Sequence, residues 1–162
     1  MERLTEEQEE ALQLLTSLQQ LDLSHYYKLQ CLPAGLQRLT NLKRLLIPGS
    51  PDIHSLHKDG LPDSLQQLEI WGGDIRSLPK DGLPNSLRKL KISSCPAIRS
   101  LPKDGLPNSL EELEISFCPS IRGLPKGGLP SSLQLLHVSN GNSEELRRQC
   151  RTLIGTIPIV RV

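Results

Sequence analysis

The chain has 162 residues, enough for one domain with a buried core, and its 19 Lys and Arg against 18 Asp and Glu leave a formal net charge of +1. That balance excludes a general electrostatic pull toward nucleic acid or an anionic membrane, and no run of about 18 apolar residues is present to span a bilayer as a helix. Aromatic residues make up only 2% of the sequence while leucine dominates, so the core has to be filled by aliphatic side chains.

In chain order, the opening MERLTEEQEEALQLL is too acidic for a secretory or mitochondrial signal, and a soluble, cytoplasmic protein is expected. Thr5 and Gln8 predict a capping box for a helix through EEALQLL. From Leu18 onward the pattern L-x-x-L-x-[LIV] recurs as LQQLDL, LKRLLI, LQQLEI, LRKLKI, LEELEI and LQLLHV, starting at Leu18, Leu42, Leu65, Leu87, Leu110 and Leu133. These starts are separated by 24, 23, 22, 23 and 23 residues, a period that marks leucine-rich repeats. Within a unit the two-residue alternation predicts a short strand, with Leu90 and Ile92, or Leu113 and Ile115, pointing inward. Cys95-Pro96 and Cys118-Pro119 follow, and proline, lacking a ladder donor, is expected to end the strand. A second inward pair comes next, Ile98 with Leu101 and Ile121 with Leu124.

Each unit then reaches a segment spelled SLPKDGLPNSL at 77–87 and again, letter for letter, at 100–110. Variants occupy 55–65 (SLHKDGLPDSL) and 123–133 (GLPKGGLPSSL). Two prolines and a glycine so close together exclude a regular helix, so the segment predicts an irregular return path with Leu106 anchored inward. After Ser143, SEELRRQCRTL predicts a helix with Leu146, Cys150 and Leu153 on one face behind an Asn142/Glu145 capping box, and IPIVRV closes the stack. The expected organisation is an N-terminal helical segment over 1–17, repeats over 18–141 and a C-terminal cap over 142–162. The fold class is an α/β solenoid: a leucine-rich-repeat horseshoe with about six short parallel strands on the concave face, Pro/Gly-rich convex loops and short terminal helices.

No motif of catalysis stands in this frame. G-x-x-x-x-G-K-[ST], G-x-S-x-G and H-E-x-x-H are absent, and the four histidines (25, 54, 57 and 137) fall in different repeats without a clustered carboxylate or cysteine. The four cysteines (31, 95, 118 and 150) form no C-x-x-C pair. No enzyme activity, cofactor or metal is therefore expected. Cys95 and Cys118 hold equivalent places one repeat apart, about 5 Å in stacked coils. That spacing permits a disulfide, but small buried free thiols are the expected form in a reducing cytosol.

Binding is the remaining role, and a solenoid binds through the solvent-facing positions of its strands. Those positions place Glu69, Lys91 and Glu114 in one row and Lys89 beside Glu112, so alternating charges satisfy one another sideways. Candidate partner-binding residues are Leu46, Glu69, Trp71, Lys89, Lys91, Glu112, Glu114, Phe117 and His137. Trp71 and Phe117, the only Trp and Phe, fall at strand exits beside Leu46; either they form an aromatic hot spot for a protein or they cover the edge of the core. On the flank, Arg76, Arg99 and Arg122 recur, as do Lys58, Lys80, Lys103 and Lys126, the first three beside Asp59, Asp81 and Asp104. The arginine ladder either answers an acidic surface or, the reading favoured by sequence alone, is a copy made by tandem duplication.

The unit LxxLxIxxCPxIxxLPKDGLPxSL resembles the C-terminal leucine-rich repeats of plant intracellular immune receptors of the nucleotide-binding type, those of grasses above all. The opening LTEEQEEALQLLTSLQQLDL and the closing ELRRQCRTLIGTIPIVRV are similar to that family's terminal segments, so the resemblance covers nearly the whole chain. It implies a domain that restrains a nucleotide-dependent switch and senses a pathogen effector, directly or through a guarded host protein. Its partners would be the effector, that guarded protein or the receptor's own nucleotide-binding domain, with no nucleic acid and no membrane. Neither a coiled-coil region nor a nucleotide-binding domain lies within these residues, so this chain could not run the switch alone. Two other readings are a substrate-recruiting module like that of bacterial leucine-rich-repeat ubiquitin ligases and a stand-alone decoy solenoid. The bacterial repeats are shorter and usually carry Asn in place of Cys-Pro.

Overall fold

The computed structural model describes residues 4–26, 29, 32–33, 35–48, 61–78, 83–102, 106–125 and 127–162. Within these, seven strands form one parallel sheet in strictly sequential order. They are β1 (Gln20–Asp22), β2 (Arg44–Pro48), β3 (Gln67–Trp71), β4 (Lys89–Ser93), β5 (Glu112–Ser116), β6 (Leu135–Val138) and β7 (Ile159–Arg161). Helix α1 (Glu6–Leu14) precedes the sheet, and helix α2 (Glu144–Arg151) lies between β6 and β7. Consecutive parallel strands joined by irregular returns are a solenoid of the leucine-rich-repeat horseshoe type. The strand count exceeds the expected six because IPIVRV does more than close the stack: Ile159–Arg161 pairs in register with Leu135–His137 as a further rung.

Side-chain alternation sets the core. Leu45 and Ile47, Leu68 and Ile70, Leu90 and Ile92, Leu113 and Ile115, and Leu136 and Val138 are all fully buried. The register stacks these identical positions directly on one another, from Leu21↔Leu45 through Leu113↔Leu136. Such layering of aliphatics lets 2% aromatic content suffice. Behind the strands, Ile98, Leu101 and Ile121 are buried as the pattern predicts, and Leu124 packs partly buried against them.

Strand termination departs from expectation. β4 and β5 stop at Ser93 and Ser116, before either proline, because the next residue turns to positive φ: 55° at Ser94 and 51° at Phe117. The turn swings Cys95 and Cys118 inward, where both are fully buried, and leaves Pro96 and Pro119 exposed.

The return segment holds a device that hydrophobic patterning alone misses. In each P-x-S-L the leucine N–H donates to the proline carbonyl, closing a turn: Leu65 to Pro62, Leu87 to Pro84, Leu110 to Pro107 and Leu133 to Pro130, at 3.0–3.2 Å. The turn aims the serine hydroxyl at the first leucine of the preceding repeat. Ser64, Ser86, Ser109 and Ser132 donate to the carbonyls of Leu42, Leu65, Leu87 and Leu110 at 2.6–2.7 Å. The recurring eleven residues thus end in a hydrogen-bonded staple between coils, which satisfies a carbonyl that no strand partner reaches. Residues 79–82 and 103–105 of those segments lie outside the described residues, as do 51–60 and position 126. Lys58, Asp59, Lys80, Asp81, Lys103, Asp104 and Lys126, with His54 and His57, fall there, and Cys31 likewise lies outside the described residues.

At the front, Thr5 Oγ1 accepts from Gln8 N–H and Gln8 Oε1 accepts from Thr5 N–H, so the expected capping box forms. At the back, the cap is displaced by one residue: Ser143, not Asn142, accepts from Leu146 N–H at 3.1 Å. Asn142 is engaged elsewhere. Its amide donates to the carbonyls of Ile115 (2.9 Å) and Ser139 (2.6 Å), and its oxygen accepts from Cys118 N–H (3.0 Å). Leu146 and Cys150 are buried on one face of α2, as the helical spacing predicts, whereas Leu153, partly buried, lies in the turn beyond the helix, which ends at Arg151.

The described cysteines, Cys95, Cys118 and Cys150, are all free. The Cys95 and Cys118 thiols approach the carbonyls of Ser93 (3.3 Å) and Ser116 (3.2 Å) respectively. A hydrogen bond shared with Cys118, and then burial, push the Cys95 thiol well above its ordinary range. Burial pushes Cys150 up to about 11. Because the thiolate is the nucleophile, iodoacetamide at pH 8 should leave Cys95 and Cys150 unmodified in the native chain. Peptide mapping before and after denaturation reads this site by site, and rapid native labelling would contradict the burial.

Candidate functional site: the strand face and its exit rim

Three rows of side chains run across the sheet, each set by the register. The first is Gln20, Arg44, Gln67, Lys89, Glu112, Leu135 and Ile159, and the second Asp22, Leu46, Glu69, Lys91, Glu114, His137 and Arg161. The third is Pro48, Trp71, Ser93 and Ser116. Opposite charges meet as the sequence implies where Lys89 lies 3.5 Å from Glu112 and Lys91 4.0 Å from Glu114, and the His137 ring lies on the other side of Glu114 at 3.8 Å. These half-exposed pairs contribute little stability, about 0–1 kcal/mol each. Their effect is to cancel the field of the face.

Glu69 differs from the other candidates. It is only 8% exposed, and Arg44, across the first and second rows, holds it at 3.1 Å. Arg44 is a site component that one-row reasoning misses, because the pair is diagonal rather than directly opposite. Leu46 is half-buried in the second row, between Asp22 and Glu69, and stands diagonal to Trp71, the same offset that joins Arg44 to Glu69.

The third row is mostly closed. Pro48 and Ser93 are buried, and Ser116 is half-buried. Trp71 breaks the pattern with 51% of its surface exposed. Phe117 lies one residue beyond this row, 58% exposed, on the positive-φ position that Gly72 and Ser94 fill in the two preceding repeats. A bulky residue in the left-handed region is uncommon and costs roughly 1–2 kcal/mol. The neighbouring coil accommodates it: Gly141, at φ 88°, lies against the ring, and a β-carbon there would collide with Phe117 Cδ1. The ring therefore packs against the backbone of the next repeat while much of its surface stays open to solvent. With β4 between their strands, Trp71 and Phe117 are separated by about 10 Å, two strand steps.

No family model matches the chain, and no curated protein matches it. Among the described residues, no group of three His, Cys, Asp or Glu side chains is placed to hold a metal ion. No described helix is long and apolar enough to cross a membrane. Arg76, Arg99 and Arg122 lie on the flank, each exposed and each just after a buried isoleucine.

Proposed function

We propose that this chain is a non-catalytic protein-interaction domain, the recognition solenoid of a plant intracellular immune receptor of the nucleotide-binding type. The observation that carries the interaction role is the exit rim. Two large aromatics stand exposed on a sheet whose charged rows are internally paired, the arrangement of an apolar anchor with a neutral polar surround. Support for the receptor reading comes from the sequence: Cys-Pro after the strand combined with GLPxSL before the next strand. In that role the cytoplasmic solenoid restrains the receptor's switch and releases it on contact with an effector or a guarded host protein. Leu46, Glu69, Lys89, Lys91, Glu112, Glu114 and His137 would frame the contact, and Trp71 and Phe117 would anchor it.

Trp71→Ala and Phe117→Ala should each leave the circular dichroism spectrum nearly unchanged, and Trp71→Ala the melting curve as well, whereas Phe117→Ala uncovers the backbone at Gly141 and should lower the melting midpoint slightly. Each should weaken partner binding roughly tenfold or more, the size of a hot-spot loss. Unchanged affinity in both variants removes the rim from the interface. The receptor reading has its own test, immunoblotting of endogenous protein with an antibody against RTLIGTIPIVRV. A product several times larger than 18.0 kDa is expected. A product of 18.0 kDa alone would replace the receptor with a stand-alone decoy.

A further inference from the structure

A second surface lies on the flank, away from the paired charges of the strand face. Arg76, Arg99 and Arg122 follow Ile75, Ile98 and Ile121, each isoleucine fully buried, so three arginine backbones are pinned in line while their side chains face solvent. None of the three makes an ion pair among the described residues. Two residues before each arginine stand Asp74, Ala97 and Ser120 in turn, so the acid beside the first arginine is replaced in the next two repeats. The strip also borders a hollow. A cleft of about 500 Å³ is lined by Arg76, Pro96, Ala97, Arg99 and Ser120, residues from three successive repeats.

We propose that this cleft, walled by Arg76 and Arg99 and extended by Arg122, docks an acidic, extended segment of a partner protein. Duplication accounts for repeated arginines, but it does not account for the loss of the neighbouring acid or for the cleft between them. Guanidinium forks bind carboxylates in two-pronged geometry and hold their charge at any working pH. An extended peptide places alternate side chains about 6.6–6.8 Å apart, within reach of long side chains spaced by one repeat. Pro96 and Ala97 are short, leaving room for a carboxylate stem, and the Ser120 hydroxyl adds a neutral donor. A nucleic acid fits less well, because none of the described residues lining the cleft is an aromatic that could stack a base.

The test is fluorescence anisotropy of a fluorescein-labelled (Glu-Ser)5 peptide titrated with the full chain at low salt. Saturable binding is expected, weakened roughly tenfold or more by Arg76→Glu with Arg99→Glu and partly by the corresponding lysine replacements. All are exposed positions whose melting curves should match the parent. Trp71→Ala should leave the peptide affinity unchanged, which separates this surface from the exit rim. The proposal is overturned by absence of saturable binding, by equal affinity in the charge-reversed variant, or by an oligothymidylate of equal charge binding as tightly as the peptide.

Discussion

Leu113→Ala is expected to lower the unfolding free energy by about 2–5 kcal/mol, the largest effect of any single truncation considered. Leu113, the second residue of β5, is fully buried and stacked between Leu90 of β4 and Leu136 of β6. Removing its isobutyl group opens a void facing two neighbouring coils at once. In a solenoid the stabilising term is the interface between adjacent repeats, so this one change weakens two interfaces. Urea unfolding followed by circular dichroism measures it, with Glu111→Ala, one exposed position in the same repeat, as the reference. Glu111→Ala should stay within about 0.5 kcal/mol of the parent. An equal effect at both positions would contradict the inward orientation of Leu113.

Asn142→Ala should cost about 2–4 kcal/mol although no apolar contact is lost. Its amide donates to Ile115 and Ser139 carbonyls and accepts from Cys118 N–H, so truncation leaves the Ser139 carbonyl and the Cys118 N–H without a partner and the Ile115 carbonyl with only the Ser139 N–H at 3.1 Å. Each net hydrogen bond is worth about 1 kcal/mol, and unpaired buried groups add their desolvation. Asn142 takes the role that Cys118 plays one repeat earlier, where the thiol approaches the carbonyls of Ile92 and Ser116. Asn142→Cys should therefore recover part of the loss through the Ile115 and Ser139 carbonyls but not the contact to Cys118 N–H. Asn142→Asp keeps the acceptor and loses both donors, so it should be no better than alanine. Thermal melts of the three variants distinguish these outcomes; three equal curves would deny the amide its specific role.

What was legible in the sequence follows from what each interaction leaves behind in the letters. A buried aliphatic at a fixed period is visible, so the strands, the inward pairs behind them and the Thr5/Gln8 cap were all readable. The charge rows were readable too, because a register follows once the period is known. Polar contacts to backbone leave a fainter trace. The serines of P-x-S-L recur as faithfully as the leucines, yet a hydroxyl has no hydrophobic pattern to betray its carbonyl partner. Asn142 and its neighbour Ser143 suit the helix cap equally by residue type, and the competing demand of the Cys118 amide decides between them. Proline predicts the strand end, whereas positive φ at Ser94 and Phe117 acts earlier. The cleft between Arg76 and Arg99 is a matter of shape, to which a linear sequence gives no access.

Site-specific photocrosslinking tests the interaction role most directly. A photoreactive phenylalanine analogue is placed at position 71, 117 or 108 of the chain expressed in plant cells, and adducts are resolved by mass after irradiation. Asn108 is exposed in the turn preceding β5, at the opposite end of the strand from the rim. Positions 71 and 117 should yield the same discrete protein adduct, with none at 108. Adducts at 108 alone, or none at 71 and 117, would contradict a binding function for the exit rim.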